Sequence, residues 1–183
     1  MARVMIVYGT KEGHTATIAE RMREAIAAKG HDVRVERAGD PPSAIPPDID
    51  AVIVGASIHA SKHQAEVREF VKRNRQRLST MPSAFFQVCL TAADPSPDSE
   101  AETQVCLDEF ADWTGWEPQT TATFAGMLAW TQYDFFIRHL MKLILRKQHL
   151  PPEQLDTSHD FDYTDYEAVK RFAEEFADSL DGR

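Results

Sequence analysis

The sequence Tyr8-Gly9-Thr10-Lys11-Glu12-Gly13-His14-Thr15 near the N-terminus is typical of a turn, and it separates a predicted strand from a predicted helix. The turn follows a short apolar run, residues 4–8, which is typical of a strand buried on both faces of a parallel sheet. After it, apolar residues recur at helical spacing over residues 15–29, and Gly30 ends that pattern. A strand, a glycine-containing turn and an amphipathic helix in this order predict the start of an α/β domain.

The chemistry of this turn points to a phosphate. It has neither the lysine spacing of a nucleotide-binding P-loop nor the glycine pattern of a dinucleotide site, so ATP and NAD are disfavoured. It offers the hydroxyls of Thr10 and Thr15 around Gly13, immediately before a helix. Hydroxyl groups, exposed backbone N–H groups and a helix N-terminus can together bind a phosphate monoester without a cationic side chain. The alternative for so short a pattern is a purely structural turn.

Four further strands are predicted, around residues 33–35 and over 51–56, 84–90 and 121–129, and they alternate with helices. Such alternation predicts a doubly wound parallel sheet with helices on both faces. Capping-box patterns at residues 61–64, 99–102 and 164–167 predict where three of the helices begin. The first of these helices is expected to carry a solvated basic row, and the second to place Cys106, Phe110 and Trp113 on one face. The basic row is Arg68, Lys72, Arg73, Arg75 and Arg77.

Three more loops are predicted at the same edge of the sheet as the first turn. They are Ser57-Ile58-His59 after the third strand, Leu90-Thr91-Ala92-Ala93 after the fourth, and residues 126–130 at the end of the fifth. In open α/β sheets the ligand lies outside the carboxyl ends of the strands, where the strand order reverses. The sequence therefore predicts one ligand site formed by these loops and the phosphate turn.

The order of these loops resembles the flavodoxin family, and several segments are similar to menaquinone-dependent protoporphyrinogen IX dehydrogenases within it. Those segments are Val52-Ile53-Val54-Gly55-Ala56-Ser57-Ile58, Glu69-Phe70-Val71-Lys72, Met81-Pro82-Ser83-Ala84-Phe85-Phe86, Phe124-Ala125-Gly126-Met127-Leu128, Met141-Lys142-Leu143-Ile144 and Tyr163-Thr164-Asp165-Tyr166. The resemblance runs in register over nearly the whole chain. It implies a five-stranded parallel sheet of order 2-1-3-4-5 in a single flavodoxin-like domain, residues 1–183.

The resemblance also implies a cofactor and its binding residues. It places the FMN phosphate in the turn Thr10-Lys11-Glu12-Gly13-His14-Thr15 and the isoalloxazine ring against Ser57-Ile58-His59 and Leu90-Thr91-Ala92-Ala93. The turn offers one monophosphate site and no second cradle, which favours FMN over FAD. A departure from these relatives is the loop at 91–99, which is rich in Lys and Arg in the family and acidic here. A porphyrinogen carries two propionates, so this loop does not supply the cations expected to meet them.

Two functions are consistent with these features. The first is an FMN-dependent oxidoreductase resembling protoporphyrinogen IX dehydrogenase, which passes electrons from a small-molecule substrate to a quinone in haem biosynthesis. The second is a flavodoxin-type electron carrier without an organic substrate. A receiver-like signalling domain is disfavoured because no acidic pair follows the first strand and no Asp ends the third. No Ser-His-Asp or Cys-His arrangement is legible, so no catalytic residue is assigned, and the redox chemistry is expected to belong to the flavin.

Composition limits the partners and the compartment. The chain has 183 residues, 43% of them hydrophobic, which allows one domain with a substantial core, and its net charge of -9 argues against nucleic acid as a partner. Its two cysteines, Cys89 and Cys106, form no CxxC pair and no zinc-type spacing, which indicates free thiols in a reducing cytoplasm and no metal site. No apolar run reaches the roughly 18 residues of a membrane span, so we expect a cytoplasmic protein, attached at most peripherally to a membrane.

The segment 133–147 is the most apolar helix predicted in the chain. Apolar residues cover most of its circumference, and Asp134, Arg138, Lys142 and Arg146 form a narrow polar strip at steps of four residues. A helix packed on a sheet needs only one apolar stripe, so this helix has apolar surface to spare. Contact with a membrane or a quinone, cover of a second face of the core, and contact with a second copy in a homodimer are all consistent with this pattern.

Overall fold

A computed structural model describes residues 1–39, 43–59, 61–133, 138 and 156–181. The strands are β1 (Arg3–Gly9), β2 (Asp32–Arg37), β3 (Ala51–His59), β4 (Lys62–His63), β5 (Ser83–Cys89), β6 (Thr120–Ala125), β7 (Met127–Leu128) and β8 (Phe161–Asp162). The helices are α1 (His14–Ala28), α2 (Ala65–Leu78), α3 (Pro97–Thr114) and α4 (Tyr166–Asp181), with a 3-10 turn at Leu90–Ala93.

The main sheet has the strand order β2-β1-β3-β5-β6, and every neighbouring pair in that order is parallel. The short β4 pairs antiparallel with the end of β3 and lies outside this path. When β4 is set aside, the order is the predicted 2-1-3-4-5. The predicted flavodoxin-like topology is therefore confirmed.

The alternation of side chains along β1 explains why helices cover both faces of the sheet. Val4 and Ile6 belong to the core cluster that contains the apolar residues of α1 and α4. Met5 and Val7 belong to the cluster that contains those of α2 and α3. Because successive strand residues point to opposite faces, a continuously apolar strand needs an apolar helix on each side. All four of these β1 side chains are at most 1% exposed.

The start of α2 differs from the prediction. Ser61 does not cap this helix: it has a φ of 60°, and Lys62 and His63 continue as β4, hydrogen-bonded back to His59 and Ile58. The helix begins at Ala65 with Gln64 as the N-cap residue. The predicted capping box at 61–64 is therefore wrong, because a tight hairpin takes up the residues that the pattern assigned to a helix start. The box at 99–102 is also misplaced, since α3 begins at Pro97 and Ser96 is its cap.

The structure divides the last predicted strand, and it describes only two residues of the apolar segment that follows it. The strand predicted over 121–129 is divided at Gly126 into β6 and β7, and β7 pairs with β8 rather than with the main sheet. Of the segment 133–147, only Tyr133 and Arg138 are described, so its predicted helix lies outside the described residues. Among the helices that the structure describes, none is long and apolar enough to cross a membrane.

Candidate functional site

The loops at the carboxyl ends of β1, β3 and β5 meet around one cavity of about 350 Å³. Of the residues predicted from the sequence to bind a ligand, Thr10, Lys11, Glu12, His14, Thr15, Ser57, Ile58, His59 and Leu90 line this cavity. Gly13, Thr91, Ala92 and Ala93 are not among the lining residues. Sequence reasoning did not assign Val88, Cys89 or Tyr133 to the site, although all three line it together with Gly126 and Met127. Cys89 directly precedes a predicted loop and Tyr133 lies three residues after another, and this proximity is the only sequence signal they carry.

The turn between β1 and α1 is closed by its own residues. The Gly13 backbone N–H donates to Thr10 Oγ1 at 2.9 Å, and Gly13 has a φ of 87°, in the left-handed region that glycine adopts without strain. Gly9 is also required to be small, because a Cβ there would lie 2.5 Å from Val67 Cγ2 on α2. These contacts hold the turn in a compact shape directly before the N-terminus of α1.

The Thr15 hydroxyl is a buried polar group of this turn that has no hydrogen-bond partner among the residues the structure describes. Thr15 is 0% exposed, and its Oγ1 has no hydrogen-bond partner in the described part of the chain. Buried polar atoms in folded proteins are nearly always hydrogen-bonded, so an unpartnered hydroxyl that lines a cavity is available to a water, an ion or a ligand. Thr15 lies in the first turn of α1 and lines the cavity, where the helix dipole favours an anion. The donor set is therefore suited to a phosphate group.

Glu12 and His59 join two of the loops. His59 Nε2 lies 3.1 Å from Glu12 Oε2, and both side chains are partly buried. Burial acts to raise the pKa of Glu12, but the His59 imidazole, a backbone hydrogen bond and the charge of Lys11 together leave that pKa below its usual value. Glu12 is therefore a carboxylate at neutral pH. The pair fixes the phosphate turn to the end of β3 at the rim of the cavity.

His14 ties the phosphate turn to the C-terminal part of the chain. Its Nε2 lies 2.7 Å from Thr164 Oγ1 and 3.4 Å from Asp162 Oδ1. Since Thr164 donates its only hydroxyl hydrogen to the Ala125 carbonyl at 2.9 Å, His14 must donate from Nε2. Burial lowers the pKa of His14 although the Asp162 carboxylate opposes that effect. The segment at 163–166 was recognised in the sequence, but nothing local in it indicates this contact.

Two further groups near the site are structural. Burial raises the pKa of the Cys89 thiol to about 11, so this cysteine is protonated at neutral pH and is a poor nucleophile. His63 donates to Gln87 Oε1 at 3.0 Å, because both hydrogens of the Gln87 amide go to the Thr103 carbonyl and Thr123 Oγ1. In the described residues, no group of three or more His, Cys, Asp or Glu side chains could hold a metal ion.

The comparisons with known proteins agree with this architecture. The family model described as a flavodoxin domain matches residues 5–154. Among solved structures, Flavodoxin 1 from Bacillus cereus superposes with a TM-score of 0.58 at 15% identity, covering 97% of this chain and 98% of that one. A flavodoxin from the domain Archaea gives 0.55 at 16% identity over 98% and 99% of the two chains. At these identities the structures establish the fold.

Two sequence relatives establish the branch of the family. Protoporphyrinogen IX dehydrogenase (quinone) of Escherichia coli K12 is 32% identical over 182 residues, which cover 98% of this chain and 97% of that protein. The protein of the same name from Leishmania major is 34% identical over 178 residues, covering 96% of this chain and 74% of that one. The resemblance found in the sequence is thereby confirmed. The chain belongs to the flavodoxin family, in the branch of the protoporphyrinogen IX dehydrogenases (quinone).

Proposed function

We propose that this protein is an FMN-dependent dehydrogenase that oxidises protoporphyrinogen IX and passes the electrons to a quinone. The two relatives that support this activity share about a third of their residues with the chain over nearly its whole length. The two flavodoxins with similar structures share 15–16% of their residues with it. The enzyme is therefore favoured over a carrier that has no organic substrate of its own.

The observation that carries the cofactor assignment is the unpartnered hydroxyl of Thr15. In this proposal Thr10, Lys11, Glu12, Gly13, His14 and Thr15 hold the FMN phosphate, and Ser57, Ile58, His59, Leu90, Thr91, Ala92 and Ala93 contact the isoalloxazine ring. When bound, FMN would supply the hydride and electron chemistry. The turn offers a single phosphate cradle, which favours FMN over FAD.

Contacts among the chain's own residues hold the loops of the site together. Gln64 donates its amide N–H to the Ser57 hydroxyl, which ties the loop after β3 to the start of α2. The Glu12–His59 pair and the His14–Thr164 contact hold the phosphate turn from two other directions. Such support keeps a ligand-binding turn in one geometry before the ligand arrives, which lowers the entropic cost of binding.

The cofactor is tested first, with the purified full chain. An oxidised-flavin absorption spectrum, and release of FMN on denaturation, are the expected results. For protein prepared without flavin, FMN titration should raise the melting temperature, since a ligand that binds only the folded state stabilises it. If saturating FMN changes neither the spectrum nor the melting temperature, the assignment is wrong.

The reaction is tested next, under anaerobic conditions, with protoporphyrinogen IX as the reductant and a water-soluble quinone as the acceptor. Porphyrin fluorescence should appear only when protein, FMN and quinone are all present. A protein that binds FMN and exchanges electrons with a reductase, but yields no porphyrin with any quinone, would be the electron carrier instead.

Membrane contact through residues 133–147 is part of the same proposal, because quinones reside in membranes. The sequence of that segment combines an apolar surface with Arg138, Lys142 and Arg146, a combination that suits anionic lipid head groups. Flotation with anionic liposomes at low salt should carry the wild type upward, and the double variant Leu140→Glu and Ile144→Glu should stay behind. A wild type that does not float, and that forms a dimer protecting this segment from proteolysis, would assign the apolar surface to a second copy of the chain.

A further inference from the structure

A second cavity, of about 420 Å³, lies beside the candidate flavin site. It opens between the carboxyl ends of β1 and β2 and the first residues of α2, and its lining includes Gly9, Arg37, Ala38, Lys62, Gln64 and Ala65. Thr10, Lys11 and His59 line both cavities. A molecule whose ring system reaches the first cavity could therefore extend a side chain into the second.

The charge of this second cavity is opposite to that of the chain. Among its described lining residues, Lys11, Arg37 and Lys62 are cations and only Glu66 is a carboxylate, in a chain of net charge -9. None of the three cations belongs to an ion pair within the described residues. Several cations elsewhere are ion-paired, for example Lys29 with Asp178, and others on α2 contact Trp113 or backbone carbonyls. Arg37 and Lys62, next to Lys11, which the proposed function assigns to the FMN phosphate, give this concave surface a positive potential that suits an anionic ligand.

Specific contacts in the fold position these cations around the cavity. Arg37 ends β2, and its guanidinium donates to the Thr10 carbonyl at 3.1 Å, so its direction toward the phosphate turn is fixed. Lys62 reaches the rim because the Ser61 turn folds β4 back along β3. The first turn of α2 faces the same space, and the side chain of its N-cap residue, Gln64, makes no capping hydrogen bond. The helix dipole therefore adds to the positive potential of the side chains.

We propose that this cationic cavity binds a carboxylate side chain of the substrate, with Arg37 and Lys62 as specificity-determining residues. The proposal rests on the proposed function, in which the substrate is a porphyrinogen bearing two propionates. No Lys or Arg occurs between residues 91 and 118, so the loop that follows β5 cannot supply the counter-charge. Arg37 offers a planar set of donors suited to a carboxylate, and Lys62 adds a mobile point charge.

The test compares the free acid of the substrate with its dimethyl ester, in which both charges are removed. For Lys62→Gln, KM for the free acid should rise about tenfold while kcat stays within a factor of two, since the loss of one charge-assisted hydrogen bond of ~1.4 kcal/mol corresponds to that ratio. Lys62→Glu should raise KM further. With the ester, wild type and variants should have the same KM. Lys170→Gln and Lys170→Glu are the matched controls, because Lys170 lies on α4 on the opposite face of the sheet.

FMN affinity is measured for every variant and should not change for those at Lys62. Arg37→Gln is the second variant, assayed at saturating FMN because its side chain also contacts the phosphate turn. Unchanged KM for the free acid in both variants, or an equal rise with acid and ester, would overturn the inference while leaving the dehydrogenase proposal intact. A selective loss of FMN affinity at Lys62 would also overturn it, by assigning the cavity to the cofactor. A wild type that oxidises neither acid nor ester would instead refute the proposed function.

Discussion

Replacement of Thr15 by valine should act in opposite directions on the fold and on the cofactor. Valine has nearly the same shape as threonine, and it removes a hydroxyl that is 0% exposed and has no partner within the described residues. An unsatisfied buried polar group costs about 1–3 kcal/mol, so the protein without FMN should become more stable by about 1 kcal/mol. For a domain of this size, that corresponds to a rise of about 2–4 °C in Tm.

The cofactor should respond in the opposite sense. A hydrogen bond to a charged group contributes about 1.5–3 kcal/mol, so losing one to phosphate should weaken FMN binding roughly 10- to 150-fold. Titration of the apoprotein with FMN, monitored by the quenching of flavin fluorescence, measures this change in affinity. Thermal unfolding without FMN measures the change in stability. Thr17→Val is the matched control, since Thr17 is exposed on the same helix and should change neither quantity in this way. Unaltered FMN affinity in a folded Thr15→Val protein would show that the phosphate binds elsewhere.

Three further outcomes follow from the contacts around the site. Gly13→Ala should cost about 1–2 kcal/mol in unfolding free energy, measured by urea denaturation, because alanine is strained at a φ of 87° even though its Cβ would meet no atom within 4 Å. Equal stability would mean that the turn adopts another conformation. Thr164→Val should weaken FMN binding severalfold, since it releases His14 from its partner; a wild-type affinity would limit this contact to a structural role. Burial lowers the pKa of His63 to about 4, against about 6.5 in the unfolded chain. Because the unfolded state binds the extra proton first, the free energy of unfolding should fall as the pH drops from 6.5 to 4, by about 3 kcal/mol at most. His63→Phe should flatten that part of the pH profile, and an unchanged slope would assign it to other groups.

The elements of the fold were predictable because each has a local signature. The continuous apolar runs of β1 and β3 and the helical spacing of α1 reflect how many of their faces are buried, and burial repeats along the chain with the period of the element. The positions of the loops follow, since parallel strands all end at one edge of the sheet. The candidate flavin cavity could therefore be located from the sequence, together with most of its lining residues.

Single polar contacts were assigned less well. The basic row of α2 was predicted to be solvated, yet Arg77 donates to the carbonyls of Ile45, Pro47 and Ile49. Trp113 was predicted to share one helix face with Cys106 and Phe110, which are buried, but it is 41% exposed beneath the cationic groups of Arg68 and Lys72. The helical period predicts the direction of a side chain around the helix axis. It contains no information about which residue of another element that side chain contacts.

The sequence by itself determined the order of the five main strands and the helices between them, the position of the turn between β1 and α1, and the family to which the chain belongs. Only the tertiary structure decided that His14 meets Thr164, which lies 150 residues away, and that Arg37 and Lys62 share one cavity. It also decided that residues 62–63 form a strand instead of a helix start. The physical reason is that burial of apolar area is summed over many residues and leaves a periodic pattern, whereas a hydrogen bond or a shared cavity depends on a few atoms whose meeting is set by the packing of the whole domain.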